Sequence, residues 1–183
     1  MSLPAGPTVP ATPAASDGAA RRERRERRER ALLAGLVASA ALAIAAAPWA
    51  LAMPWLAFVF KPLATLCVIA LAAGRGGEAV VRRWLLAGLV LSLAGDVALL
   101  WPKEGFLPGL VSFLLAHLAY LVAFTRRQRL AAWWPAFAGY ALVSGLILAR
   151  LWPGVPGPLQ GPVVAYVACL ASMAAQAAVL WRR

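Results

Sequence analysis

Residues Leu89–Phe124 read LVLSLAGDVALLWPKEGFLPGLVSFLLAHLAYLVAF, two long apolar runs joined at the polar turn Pro102-Lys103-Glu104-Gly105. Asp96 lies inside the first run, and His117, the single histidine of the chain, lies inside the second. An acid within an otherwise apolar run is costly wherever hydrocarbon surrounds it, so it turns inward to a partner or a cavity and usually has a task. The short turn makes the two runs an antiparallel hairpin, and the rest of the chain reads as a scaffold that holds it.

Working outward, hydrophobic residues make up 62% of the chain and the mean hydropathy is +0.74. Soluble domains are only about half apolar. Runs of about 17 to 25 apolar residues span a bilayer, and six candidates recur at 31–47, 53–73, 84–101, 106–124, 132–151 and 161–181. The fold class that follows is all-α, a polytopic transmembrane helix bundle of about six spans. No alternating strands of a β-barrel are visible. The first run ends in Ala45-Ala46-Ala47 before Pro48, but the tail preceding it is too long for a signal peptide, so it is read as an uncleaved span.

Residues 1–30 are expected to be a disordered, Arg-rich cytoplasmic tail, and 31–183 a transmembrane helical domain. The tail begins Ala-, Pro- and Ser-rich and ends in a three-residue repeat, Arg21 to Arg30, with seven arginines and three glutamates. Were it helical, Glu23–Arg27 and Glu26–Arg30 could pair at i, i+4. With the N-terminus in the cytoplasm, fifteen of the eighteen basic residues fall on one side: the arginine run, Arg75/Arg82/Arg83, Arg126/Arg127/Arg129 and Arg182/Arg183. Lys103 and Arg150 fall on the other, and Lys61 lies within the second span. That is the positive-inside asymmetry, and it puts both ends inside. The net charge of +11 is thereby explained by orientation, with membrane lipids as the partner and no nucleic acid expected. The bacterial cytoplasmic membrane is the expected location.

Depth can be counted at about 1.5 Å per residue. From the turn near Lys103–Glu104, Asp96 comes level with Val111–Ser112, and Ser92 with Leu115–Ala116. His117 lies about six residues deeper than Asp96, roughly 9 Å, which makes a direct dyad doubtful. Counting across the longer loop at Gly77–Glu78 brings Lys61 about level with Asp96, so an ion pair is expected there. Gly88, Ser92 and Asp96 recur every four residues along one face, and His117 and Tyr120 share a face of the next span. For Ser92, Ser112 and the glycines the competing explanation is close helix packing by small residues. Packing alone rarely accounts for Asp96.

Several chemistries are set aside. No serine stands in a Gly-x-Ser-x-Gly elbow, one histidine cannot make a His-x3-His zinc pair, and no phosphate-binding loop or dinucleotide fingerprint occurs. Cys67 and Cys169 lie in apolar runs and read as small hydrophobes. A site free of metal and cofactor remains, made from an acid and a few polar helpers.

Ser92-Leu-Ala-Gly-Asp96, followed by Phe106-x-x-Gly109-x-x-Ser-Phe113-x-x-Ala-His117-x-x-Tyr120-x-x-Ala-Phe124, resembles the hallmark of the YhhN family of lysoplasmalogenases. Lys61-Pro62-Leu63 is similar to that family's lysine-proline motif, and Pro162-Val-Val-Ala-Tyr166 with Met173 to its later tyrosine-bearing span. The resemblance implies a cofactor-free hydrolase that cleaves the vinyl-ether bond of a lysoplasmalogen, a lysophospholipid, to a fatty aldehyde and a glycerophospho-alcohol. It implies Asp96 as the catalytic residue, with Lys61, Ser92, His117 and Tyr120 lining the cavity for substrate or water. Family members usually carry two more spans, one with a second acidic motif, and these are expected to be missing here. The alternative is a non-enzymatic membrane protein, a lipid or solute carrier or a scaffold, in which Lys61–Asp96 is a structural ion pair.

Overall fold

The computed structural model describes residues 13–45, 54–101 and 103–182. They form six helices: α1 (Pro13–Ala45), α2 (Pro54–Gly74), α3 (Ala79–Ala98), α4 (Phe106–Thr125), α5 (Trp134–Leu151) and α6 (Gly157–Trp181). A 3-10 turn, Trp152–Gly154, follows α5, and no strand occurs among the described residues. The breaks fall where glycine and proline interrupt Ala- and Leu-rich sequence: Gly76-Gly77 between α2 and α3, and Pro153 to Pro156 before α6. Proline stands in the first turn of both α5 and α6, where its missing N–H costs nothing.

The helices match the six expected spans in number. By length and composition α4, α6 and Trp134–Gly154 are long and apolar enough to cross a membrane, and Phe58–Gly74 of α2 is a shorter apolar segment. Helix α3 falls short on charge, because every 18-residue stretch of it contains Arg82, Arg83 and Asp96. Helix α1 departs from the expectation of disorder through residue 30. It is continuous helix from Pro13, through the arginine repeat, into the first apolar run. Arginine, glutamate and alanine are good helix formers, and no proline interrupts the repeat. Glu26 pairs with Arg30 at 3.7 Å as the spacing suggested, and Arg25 pairs with Glu29 at 3.4 Å. Residues 1–12 lie outside the described residues.

The helices stand in a row, in the order α1, α2, α3, α4, α6, α5. Neighbours in the row touch, and among the described residues α1 meets only α2 while α5 meets only α6 and the turn between them. The row is therefore open. Helix α5, at its end, exposes Leu142, Val143, Leu146, Ile147 and Leu151, and a helix apolar on its outer side belongs against hydrocarbon. The tightest approach is between α3 and α4. A Cβ on Gly95 would stand 2.7 Å from the Phe113 ring, and one on Gly109 2.9 Å from the Leu99 side chain, so a larger residue at either position would have to displace its neighbour.

Apart from Arg150 in the last turn of α5, the described arginines collect at one end. An Arg25 terminal nitrogen donates to the Gly74 carbonyl at 3.3 Å, and the Arg182 guanidinium lies 4.0 Å from the centre of the Trp133 ring. At the same end the fully buried Gln176 of α6 fastens the α4–α5 loop. Its amide nitrogen donates to the carbonyls of Gln128 (3.1 Å) and Arg129 (3.3 Å), and its oxygen accepts from the Ala131 N–H at 3.3 Å.

Candidate active site

Asp96 sits near the C-terminal end of α3, half-buried, facing α2. Its Oδ2 is 2.8 Å from the hydroxyl of Thr65. The same hydroxyl lies 3.3 Å from the Lys61 carbonyl, one turn back on α2. A threonine hydroxyl has one hydrogen, and the shorter contact takes it. Thr65 was not among the residues singled out from sequence. Its signal was there, four positions from Lys61 and so on the same helix face.

The expected Lys61–Asp96 ion pair does not form. Among the described residues the ion pairs are the two within α1, and Lys61 is exposed. The register of α2 against α3 is the reason. Thr65, not Lys61, stands across from Asp96, and Lys61 lies one turn, about 6 Å, farther toward the opposite end from the arginines. A long lysine stem can then carry its ammonium outward. The scaffold alternative built on that pair loses its structural basis.

One turn inward from Asp96 on α3, the Ser92 hydroxyl meets the Tyr120 hydroxyl of α4 at 3.0 Å. Gly88 makes this possible, because a Cβ there would run into the Tyr120 ring. The stripe of Gly88, Ser92 and Asp96 thus serves packing and polar contact at successive levels. Ser112, by contrast, donates to the Leu91 carbonyl at 2.7 Å and staples the two helices together.

His117 lies between aromatic edges. Its ring is 6.2 Å from Tyr120 and 5.5 Å from Tyr166 of α6, both near perpendicular, and 6.5 Å from Phe113. Its Nδ1 bonds the Phe113 carbonyl. A carbonyl only accepts, so Nδ1 carries a hydrogen, and in the neutral ring Nε2 is the acceptor. His117 and Asp96 make no direct contact, in keeping with the depth count.

A polar line therefore crosses four helices: Thr65 on α2, Asp96 and Ser92 on α3, Tyr120 and His117 on α4, and Tyr166 on α6. Of the expected site residues, Ser92, Tyr120 and His117 come together, Asp96 lies one turn from Ser92, and Lys61 stands apart. Among the described residues no three His, Cys, Asp or Glu side chains gather as a metal would need.

This is an integral membrane helix bundle with a polar site between its helices. The model of the YhhN family matches residues 56–183, which takes in α2 to α6 and the whole polar line, and the chain belongs to that family. It is similar to an uncharacterized membrane protein YhhN of Escherichia coli, 29% identical over 127 residues, 69% of this chain and 61% of that one. It is also similar to a lysoplasmalogenase of Mycobacterium tuberculosis, 36% identical over 101 residues, 50% of this chain and 38% of the relative. A lysoplasmalogenase of Mus musculus is 42% identical over 73 residues, 38% of this chain and 30% of the relative. The chain thus spans about 61% of the length of the Escherichia coli relative it matches. No solved structure matches it.

Proposed function

We propose that the site is a lysoplasmalogenase centre that hydrolyses the vinyl-ether bond of a lysoplasmalogen with Asp96 as its acid–base group. The observation that carries the reading is the placement of Asp96. It is the single acidic residue within the apolar helices among the described residues, oriented by Thr65 at 2.8 Å and only half-buried. The relatives named lysoplasmalogenase support the substrate class.

One carboxyl can close the cycle. As the acid, Asp96 gives its proton to the β-carbon of the vinyl ether, and the α-carbon becomes an oxocarbenium ion. The carboxylate left behind stabilises that positive charge, as carboxylates do at glycosidic centres. Water then attacks the α-carbon and returns a proton to Asp96. The hemiacetal so formed breaks its remaining C–O bond to the glycerol, giving a fatty aldehyde and a glycerophospho-alcohol. One water is consumed and the acid is regenerated. Ser92, Tyr120 and the Nε2 of His117 supply hydroxyl and acceptor groups to hold water and the ether oxygen. Lys61, exposed one turn from Thr65, meets the substrate phosphate.

The test is aldehyde release from lysoplasmenylethanolamine by the purified chain in detergent. Asp96→Asn should abolish release while helix content is unchanged. Turnover that survives this substitution, or a folded wild-type chain that releases no aldehyde, would overturn the reading.

A further inference from the structure

At the arginine-rich end the loop between α2 and α3 lies beside the end of α4 and leaves a concavity of about 210 Å³. Arg75 of the loop, Arg82 of α3 and Arg127 beyond α4 line it, with Glu78, Val81 and Leu85. A terminal nitrogen of Arg127 comes within 3.8 Å of the position a Cβ on Gly77 would take. Three arginines from three elements thus line one hollow, against one glutamate. None of the three is in an ion pair among the described residues, whose ion pairs are confined to α1. Helix α3 starts at the same place, and Glu78 at its N-cap makes no side-chain capping bond. The first-turn N–H groups and the positive end of the helix dipole add to the excess.

We infer that this concavity binds the phosphate of an anionic membrane phospholipid, with Arg82 and Arg127 as its principal ligands. Basic pockets between helix ends on the cytoplasmic side suit such headgroups, and guanidinium presents paired donors to phosphate oxygens. The apolar Val81 and Leu85 in the lining and the exposed Trp84 in the next turn of α3 place the hollow at the boundary between headgroup and acyl chain. The arginine run of α1 differs, because the hollow it lines against α2 holds two arginines, Arg25 and Arg28, and Arg25 is already engaged by Glu29 and by the Gly74 carbonyl.

This site is separate from the candidate active site. Arg82 and Asp96 are fourteen residues apart on α3, about 21 Å along its axis. No single lysophospholipid has its phosphate and its sn-1 ether so far apart, since only the glycerol carbons lie between them. The inference therefore stands whether or not Asp96 hydrolyses anything.

Native mass spectrometry of the full chain in mild detergent tests it, with dioleoyl phosphatidylglycerol, dioleoyl phosphatidylcholine or inorganic phosphate added. The wild-type chain should retain one phosphatidylglycerol and little phosphatidylcholine, and inorganic phosphate should not displace the lipid. Loss of two arginines near a headgroup should weaken retention about tenfold or more in Arg82→Gln/Arg127→Gln. Arg126→Gln/Arg129→Gln, the same charge change outside the concavity, should leave retention as it was. Equal retention of the two lipids by the wild-type chain overturns the inference and requires no variant. So does equal weakening by both double substitutions, and displacement by inorganic phosphate would reassign the hollow to a soluble anion.

Discussion

Thr65→Val removes a hydroxyl and keeps the β-branched shape, so α2 loses its donor to Asp96 with little change in packing volume. Asp96→Leu removes the acceptor. Measured singly and together, the two substitutions isolate the 2.8 Å contact as a coupling energy. Hydrogen bonds between helices in membrane bundles average about 0.6 kcal/mol and reach about 1.7, and a typical intramolecular hydrogen bond contributes about 0.5–1.5 kcal/mol. For a short contact to a half-buried carboxyl we expect about 1–2 kcal/mol. The assay is reversible unfolding in mixed micelles, followed by the fluorescence of the eight tryptophans. Thr65→Ser should keep most of the coupling. A coupling below about 0.3 kcal/mol, the scatter of independent sites, would show that the contact carries no energy. A parallel cycle with Lys61→Met and Asp96→Leu should give nothing above that scatter. A coupling of about 1 kcal/mol there would restore the ion pair and refute the α2–α3 register.

Gly88→Ala drives a methyl into the Tyr120 ring, so it should cost about 1–3 kcal/mol by overpacking, less about 1 kcal/mol regained in helix propensity. Unfolding of the same kind measures it, and Tyr120→Ala in the Gly88→Ala background should relieve the collision. Gln176→Leu takes its partner from the part-buried Ala131 N–H and removes one donor from the Gln128 and Arg129 carbonyls, and should cost about 1–3 kcal/mol. Amide exchange at Ala131 should quicken in that variant; unchanged exchange would show that the loop is held by something else.

The α3–α4 hairpin was legible because its turn is short. A count from Lys103–Glu104 set Ser92 level with Leu115–Ala116, and the structure seats Gly95 against Phe113 and Gly88 against Tyr120, the same register. The tyrosine side chain leans toward the start of its helix, so its hydroxyl reaches Ser92 one turn away. The same count across the looser Gly74–Glu78 loop erred by one turn, enough to replace Thr65 with Lys61 as the partner of Asp96. The arginine repeat is helical although the stretch before it is Ala-, Pro- and Ser-rich, because a good helix former joined to an apolar helix needs no nucleus of its own.

The neighbour of α4 on its far side could not be counted at all. Sequence order makes α5 the obvious candidate, yet α6 lies against α4 and α5 is displaced to the end of the row. Two features of α6 account for this. Its Cys169 is small and buried, with its thiol 3.9 Å from the Leu114 carbonyl of α4, which suits close approach, whereas α5 carries branched residues that stay exposed. Its Gln176 also bonds the loop that leaves α4, tying the C-terminal part of α6 to the end of α4. Tyr166 lies ten residues up the same helix, about 15 Å from that anchor, and from there it reaches the His117 ring. The aromatic wall around His117 thus depends on a glutamine at the opposite end of α6, so the site is a product of helix order as much as of the hairpin motif.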